Sequence, residues 1–206
     1  MPSSRPQRID IALIHHPVVN RVGEIIGAAV TNLDLHDLAR TGRTYGVDTC
    51  WIVTPYADQQ ELAGQIVRHW TEGYGGTVNP DRKEALALLR IRADLQAVIV
   101  EATEKWGARP LVFATCARPQ PNSRGYGEVR CLARQGRPLL LLFGTAWGLA
   151  PEVLAGVDAT LPPLRGRDDF NHLPVRSAVA IILDRLLGDR RQRTEARGRK
   201  TEESLE

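Results

Sequence analysis

The stretch LLLLFGTAWGLAPEVL, residues 139–154, contains the strongest fold signal in this chain. Its five leading apolar residues, 139–143, predict a strand that is buried on both faces. The run ends at Gly144, and Gly148 follows four residues later. Glycine permits backbone paths and close approaches that bulkier residues do not allow. We therefore expect a buried strand that opens into a loop built to hold a ligand against its backbone.

The rest of the chain alternates apolar strands with helical patterns. Strands are predicted at 9–14, 50–55, 96–102, 110–116, 139–143 and 157–164, and helices at 31–47, 58–70, 79–95 and 173–188, with one short helix before residue 139. Most of these strands are continuously apolar, which is typical of a parallel sheet covered on both faces. The predicted fold class is α/β, with a mainly parallel sheet between helices. Ligands of such sheets bind beyond the carboxyl ends of the strands.

Two of the predicted helices have clear end signals. In the first, Thr31 and Asp34 have the spacing of a capping box, and Gly46 is a plausible stop. In the last, Pro174 suits the first turn and Gly188 ends an apolar stripe.

Composition indicates an ordinary globular protein. The 206 residues are 43% hydrophobic and 25% charged, with a net charge of +3. We expect one domain, residues 1–188, followed by a polar and disordered tail, residues 189–206. Three widely spaced cysteines argue against a disulfide framework. With no apolar leader and no apolar run near the ~20 residues that span a bilayer, the expected location is the cytoplasm.

Several common site motifs are absent from the sequence. Neither the GxGxxG dinucleotide fingerprint nor the GxxxxGK[ST] phosphate loop occurs, and there is no GxSxG nucleophile elbow. The five histidines and three cysteines do not have zinc-ligand spacing, so no metal site is expected. The ligand of the glycine loop is therefore not held by a standard nucleotide grip.

Three separated segments, 32–47, 139–154 and 161–183, fall where strands end or helices begin. Together they resemble motifs 1, 2 and 3 of the SPOUT superfamily of S-adenosylmethionine-dependent RNA methyltransferases, and the resemblance extends over most of residues 9–187. It is especially like a compact branch related to the tRNA guanine-N1 methyltransferases. The matching residues are Arg40-Thr41 with Tyr45-Gly46-Val47, Phe143-Gly144 with Gly148-Leu149, and Leu161-Pro162 with the run Leu173 to Leu183.

The chain departs from the family pattern in two places. Asp34 stands where the family usually has Asn, and Pro174-Val175-Arg176 replaces a common Asn-Val-Ser. These departures keep an alternative open, namely a non-catalytic RNA-binding or nucleotide-binding descendant of the same fold.

The resemblance implies a fold, a cofactor and partners. The fold would include a C-terminal trefoil knot formed by motifs 2 and 3, and the protein would be a homodimer. The cofactor would be S-adenosylmethionine and the substrate a tRNA or rRNA, with no DNA or membrane partner expected. The implied cofactor contacts are Thr115, Phe143, Gly144, Thr145, Trp147, Gly148, Leu149, Leu161, Pro162, Leu164, His172, Leu173, Val175 and Ser177.

The resemblance also implies catalytic and RNA-binding residues. In ribose-methylating relatives the motif 1 arginine assists the attacking hydroxyl, which gives that role to Arg40. In guanine-N1 relatives an aspartate near motif 3 acts as base, which points to Asp169. The sequence leaves both chemistries open. Arg43, Arg165 and Arg167 are expected to contact RNA phosphates, since arginine forms bidentate bonds with phosphate.

Overall fold

The computed structural model describes residues 8–168 and 170–188, and its centre is a parallel sheet. The strands are β1 (Ile9–Ile14), β2 (Val18–Val19), β3 (Ile25–Ile26), β4 (Thr49–Val53), β5 (Leu89–Arg92), β6 (Leu111–Ala114), β7 (Leu139–Gly144) and β8 (Ala159–Thr160). The helices are α1 (Asn32–Tyr45), α2 (Ala57–Thr71), α3 (Tyr74–Val78), α4 (Pro80–Leu86), α5 (Leu95–Trp106), α6 (Tyr126–Arg134), α7 (Pro151–Ala155) and α8 (Val175–Leu187).

Six strands form the main sheet, in the order β5-β4-β1-β7-β6-β8, and all of its pairings are parallel. The two central strands pair from Ile9↔Leu139 to Ile14↔Gly144. Alternate residues of these strands belong to two separate apolar clusters, one on each face of the sheet. The prediction of a mainly parallel α/β sheet covered on both faces is therefore confirmed.

The end signals of α1 are confirmed in detail. The backbone N–H of Asp34 donates to Thr31 Oγ1 at 3.2 Å, which caps the first turn. Gly46 ends the helix at φ 71°, a left-handed conformation that glycine adopts at little cost. α1 then packs against α8 and α4, and these contacts set its position beside the sheet.

The interpretation of residues 79–102 is wrong in two places. The predicted helix 79–95 ends at Leu86 and is followed by strand β5, where Leu89 and Ile91 alternate with arginines. The predicted strand 96–102 is part of helix α5, which Asp94 caps through its bond from Ala97 N. The run of β-branched residues hid the helical spacing of Val98 and Ala102, both fully buried.

Smaller differences occur at the chain's turns. The GYGG sequence at 73–76, expected only to break the chain, starts the short helix α3, and the strand expected at 157–164 is reduced to β8. The antiparallel hairpin of β2 and β3 was not predicted.

The tail predicted from residue 189 lies outside the described residues, so the domain division stays a prediction. Within the described part of the chain, no helix is both long and apolar enough to span a membrane.

Candidate active site

A cleft of about 710 Å³ lies at the carboxyl ends of β6 and β7, where sequence reasoning expected a ligand. This volume is within the range of small-molecule and cofactor sites. Its lining residues are Ala28, Ala29, Thr31, Asp34, Thr115, Cys116, Ala117, Arg118, Phe143, Gly144, Thr145, Ala146, Trp147, Gly148, Pro162, Leu164, Asn171, His172, Leu173, Pro174, Val175, Arg176, Ala178 and Ile182.

The glycine loop that follows β7 folds tightly on itself. A Cβ added to Gly144 would lie 2.7 Å from the backbone nitrogen of Leu149, so only glycine fits there. Gly148 has φ +114°, a conformation that L side chains rarely adopt. Thr145 fixes the start of the loop, because its N–H and hydroxyl both donate to Ile14 O, at 3.2 and 3.0 Å.

The unpredicted hairpin supports this loop from outside. Val19 N donates to Gly148 O at 2.9 Å, and Trp147 N donates to Val19 O at 3.0 Å. These two bonds add the glycine loop to the edge of β2. A two-residue strand thus holds the backbone that forms one wall of the cleft.

The opposite wall is the segment between β8 and α8. Leu161 N donates to Ala114 O at 2.9 Å, which continues the sheet past β8. Tyr126 Oη donates to Pro162 O at 2.9 Å, and Asn171 Nδ2 donates to Ala117 O at 2.8 Å. These bonds tie the segment to the β6–α6 connection and so set the width of the cleft.

Asp34 supplies a carboxylate to the cleft. It is 7% exposed, and Thr31 Oγ1 lies 2.6 Å from its Oδ2. Arg176 Nη1 lies 3.9 Å from its Oδ1. Asp34 and Arg176, which belong to the two segments where the sequence departs from the family pattern, are therefore close neighbours of opposite charge.

His15 lies behind this part of the cleft, fully buried at the end of β1. Burial lowers its pKa, while Asp34 and the backbone of Ala28 and Ala29 act in the opposite direction. Because burial is the largest of these effects, the ring is neutral near pH 7, and neither of its nitrogens has a hydrogen-bond partner among the described residues.

Most residues predicted to contact the cofactor line the cleft, namely Thr115, Phe143, Gly144, Thr145, Trp147, Gly148, Pro162, Leu164, His172, Leu173 and Val175. The other three do not line it. Leu149 and Leu161 are buried in the core, and Ser177 N donates to Pro174 O in the first turn of α8. Sequence reasoning missed Ala28, Ala29, Ala117 and Arg118, which lie outside the three motif segments.

Of the predicted catalytic and RNA-binding residues, none that the structure describes lines the cleft. Arg40 is exposed on α1 and borders a different cavity, outside the cleft of its own chain. Asp169 lies outside the described residues. Arg43 forms an ion pair with Glu84 of α4. Arg165 and Arg167 are exposed in the loop that leads to α8.

The chain is similar to known proteins over nearly all of the described residues. A family model described as a SAM-dependent RNA methyltransferase matches residues 8–188. Proteins named tRNA (guanine-N(1)-)-methyltransferase are 46% identical over 186 residues in Oleidesulfovibrio alaskensis and 46% identical over 187 residues in Nitratidesulfovibrio vulgaris. These matches cover 90% of this chain but only 43% and 44% of those proteins, so the chain spans less than half of their length. An uncharacterized protein of Aquifex aeolicus is 38% identical over 186 residues, which are 90% of this chain and 91% of that protein.

Solved structures agree on the fold. A TrmH/SpoU tRNA modifying enzyme of A. aeolicus matches with a TM-score of 0.52 and 17% identity, covering 93% of this chain and 79% of that one. The SpoU methyltransferase AviRb of Streptomyces viridochromogenes, solved in complex with the cofactor AdoMet, matches with a TM-score of 0.55 and 18% identity, covering 92% and 59%. At such identities the likeness establishes the fold alone.

Proposed function

Because this chain belongs to the SAM-dependent RNA methyltransferase family, we propose that it transfers a methyl group from S-adenosylmethionine to N1 of a guanine in tRNA. The observation that supports this most is the cleft, in which the glycine loop and the 162–176 segment face each other at the carboxyl ends of β6 and β7. The guanine-N1 assignment is favoured over ribose 2′-O methylation by the names of the two relatives at 46% identity.

The residues of the cleft fit this cofactor. The side chains of Leu164, Val175 and Ile182 offer apolar surface to an adenine ring, and the glycine loop allows close backbone approach. Asp34 offers a negative charge to a molecule whose sulfonium and amino groups are positive. When bound, S-adenosylmethionine supplies a methyl group that is already activated for displacement.

The chain's own residues then have to position the nucleophile and accept its proton. Guanine N1 loses a proton as it attacks, and Asp169 is proposed as the base that takes it. Arg40, which lies outside the cleft of its own chain, is proposed to act on substrate RNA near the reacting group. Arg165 and Arg167, exposed beside the cleft, are proposed to bind backbone phosphates. Arg43 would have to leave its ion pair with Glu84 to do the same.

We further propose that the C-terminal part of the chain forms a trefoil knot. Support comes from the repeated contacts of the last segment with the β6–α6 connection, at Asn122 and Thr160, at Tyr126 and Pro162, and at Ala117 and Asn171. A crystal structure traced from residue 110 to 188 tests this. A trace in which the chain passes outside that connection would contradict it.

A homodimer in the cytoplasm is proposed as the working form. Support comes from large apolar side chains left exposed around α8, at Phe170, Leu173 and Ile181. Light scattering on the purified protein tests the dimer, and a mass of one chain would contradict it. Cell fractionation tests the location.

The function itself is tested by incubating the protein with labelled S-adenosylmethionine and unmodified tRNA, followed by mass spectrometry of the nucleosides. We expect 1-methylguanosine, and we expect Arg40→Ala to lower its formation at least tenfold. A 2′-O-methylated nucleoside would move the assignment to ribose. Cofactor binding without any transfer to RNA would support the non-catalytic alternative.

A further inference from the structure

A second cavity, of about 560 Å³, lies between α1, α2 and α4. It borders α1 on a face next to the one that lines the cleft. Asp34 lines the cleft, whereas Asp37 and Arg40, one and two turns further along the helix, line the second cavity. Arg176 lines the cleft and reaches across to Asp37, so the two cavities share one wall.

The charges inside this cavity are mainly positive. Arg40 and Arg82 both line it, and neither forms an ion pair with another residue in the described ranges 8–168 and 170–188. Asp37 is the one carboxylate among the described residues of its lining, and Arg176 already engages it, with Nε 3.4 Å from Oδ2. Two arginines therefore face the cavity, while the carboxylate of Asp37 is paired with a cation from outside it.

The position of Arg82 is fixed by an aromatic group. Its guanidinium lies 4.6 Å from the centre of the Trp70 ring, and the rings of His36 and His69 contact the same indole edge-on. Arg82 Nε is buried, and no residue of the described chain accepts a hydrogen bond from it. That atom is closed to solvent, so the stacking on Trp70 is what preorganises the guanidinium to bind an anion in the cavity, because little side-chain freedom remains to be lost.

The pKa of His36 responds to the positive charges that line the cavity. Burial is the main cause that lowers its pKa, and the charges of Arg82 and Arg40 lower it further, against the effect of Asp37. An anion bound between the two arginines would offset their charges and so raise the pKa of His36. His36 is therefore a reporter of occupancy that does not depend on methyl transfer.

We propose that this cavity is a second RNA-binding site, which takes a backbone phosphate of the substrate between Arg40 and Arg82. The proposal rests on the proposed function, since it assumes that RNA is the substrate. RNA supplies the required chemistry, an anion beside a ribose or base, and the exposed side chains of Leu33 and Leu62 provide apolar surface at the rim. Through the shared wall, RNA held here would lie next to the cofactor cleft.

The test compares Arg82→Gln with Arg137→Gln, which removes the same charge from an exposed position outside both cavities. tRNA binding is measured by fluorescence anisotropy over a range of salt concentrations. We expect Arg82→Gln to weaken binding roughly five- to tenfold and to reduce the salt slope by about one, with S-adenosylmethionine affinity and melting temperature close to those of Arg137→Gln. Arg82→Lys should recover part of the loss, because the charge returns without the planar stack.

A second readout is the pKa of His36, followed by NMR with and without tRNA. We expect tRNA to raise it in the wild type and to raise it less in Arg82→Gln. Equal tRNA affinities and salt slopes for Arg82→Gln and Arg137→Gln, in a wild type that binds and methylates tRNA, would overturn this inference alone. A loss of affinity that accompanies dissociation of subunits would overturn it in favour of a protein contact. A wild type that binds no RNA would overturn the proposed function as well.

Discussion

Arg176 of α8 reaches Asp37 of α1, and its Nε atom lies 3.4 Å from Oδ2 of that carboxylate. The same guanidinium lies 3.9 Å from Asp34, whose carboxylate lines the cleft proposed for the cofactor. One cation is thus shared between the cleft and the second cavity. The charge of Arg176 therefore acts on both sites.

Arg176→Ala is expected to favour S-adenosylmethionine over S-adenosylhomocysteine. Loss of a cation makes the cleft more negative, and only the first ligand has a positive sulfonium. We expect the ratio of the two affinities to rise roughly two- to fivefold, as measured by calorimetry. Asp34→Asn, the matched change of opposite sign, should lower the ratio. Equal shifts for both ligands in both variants would show that the effect is steric rather than electrostatic.

Tyr126→Phe is expected to lower the free energy of unfolding by about 1 kcal/mol, since it removes one partly buried hydrogen bond to Pro162 O. It should also weaken S-adenosylmethionine binding slightly, because the wall that contains Pro162 becomes freer. Urea unfolding measures the first effect and calorimetry the second. Tyr74→Phe, at an exposed position, is the control and should change neither.

Trp147 should report cofactor binding by its fluorescence. It lines the cleft with 53% of its surface exposed, in edge contact with His172. We expect S-adenosylmethionine to change the emission of the wild type and to change that of Trp147→Phe far less. Trp106→Phe removes an indole outside the cleft and should keep the full change. A full change in Trp147→Phe would mean that the ligand binds away from the glycine loop.

A buried ion pair at the amino end of the sheet makes stability depend on pH. Asp10 is fully buried, 2.8 Å from Lys105 Nζ and 2.9 Å from Trp51 Nε1. Burial raises its pKa from 3.8 to about 6, against the lowering effects of Lys105 and Trp51. Because the folded state holds this proton more tightly than the unfolded chain, the contribution is complete below about pH 4 and is lost as pH rises through about 6.

Asp10→Asn removes this titration. We expect the wild type's stability advantage over the variant to shrink between pH 4 and pH 7, by roughly 3 kcal/mol at most. Denaturant unfolding of both proteins across this range measures the difference and cancels all other titrating groups. A constant difference would contradict the account of Asp10. Cofactor affinity should stay the same, because the ion pair is at the opposite end of the sheet from the cleft.

Local rules predicted the strand β7, the glycine loop and the start of α1. The apolar run 139–143 and the two glycines after it determine a buried strand and a tight loop by themselves, so the carboxyl ends of β6 and β7 could be located. The capping of α1 by Thr31 depends on neighbouring residues only. The strand predicted at 96–102 was wrong because local rules alone do not separate the two structures there. β-Branched side chains occur both in strands and in packed helices.

Such local rules could not predict contacts between residues that are distant in the sequence. Asp34 and Arg176 are distant in sequence and meet only because α8 packs on α1. The hairpin β2–β3 has strands of two residues, too short for any periodicity, although it holds the glycine loop. The motif also could not show that Arg40 faces a cavity other than the cleft, since a helix position indicates a face but not what packs beside it.

The glycine loop and the 162–176 segment are proposed to form one S-adenosylmethionine site in each chain. The direct measurement is calorimetry of the wild type, Gly144→Ala and Gly127→Ala with S-adenosylmethionine, with NAD and ATP as controls. A Cβ at Gly144 would lie 2.7 Å from Leu149 N and force the loop open, whereas a Cβ at Gly127 meets nothing within 4 Å. The account predicts one site per chain in the wild type and in Gly127→Ala, no binding of NAD or ATP, and severe loss in Gly144→Ala. Undiminished binding in a folded Gly144→Ala, or no binding in the wild type, would contradict it.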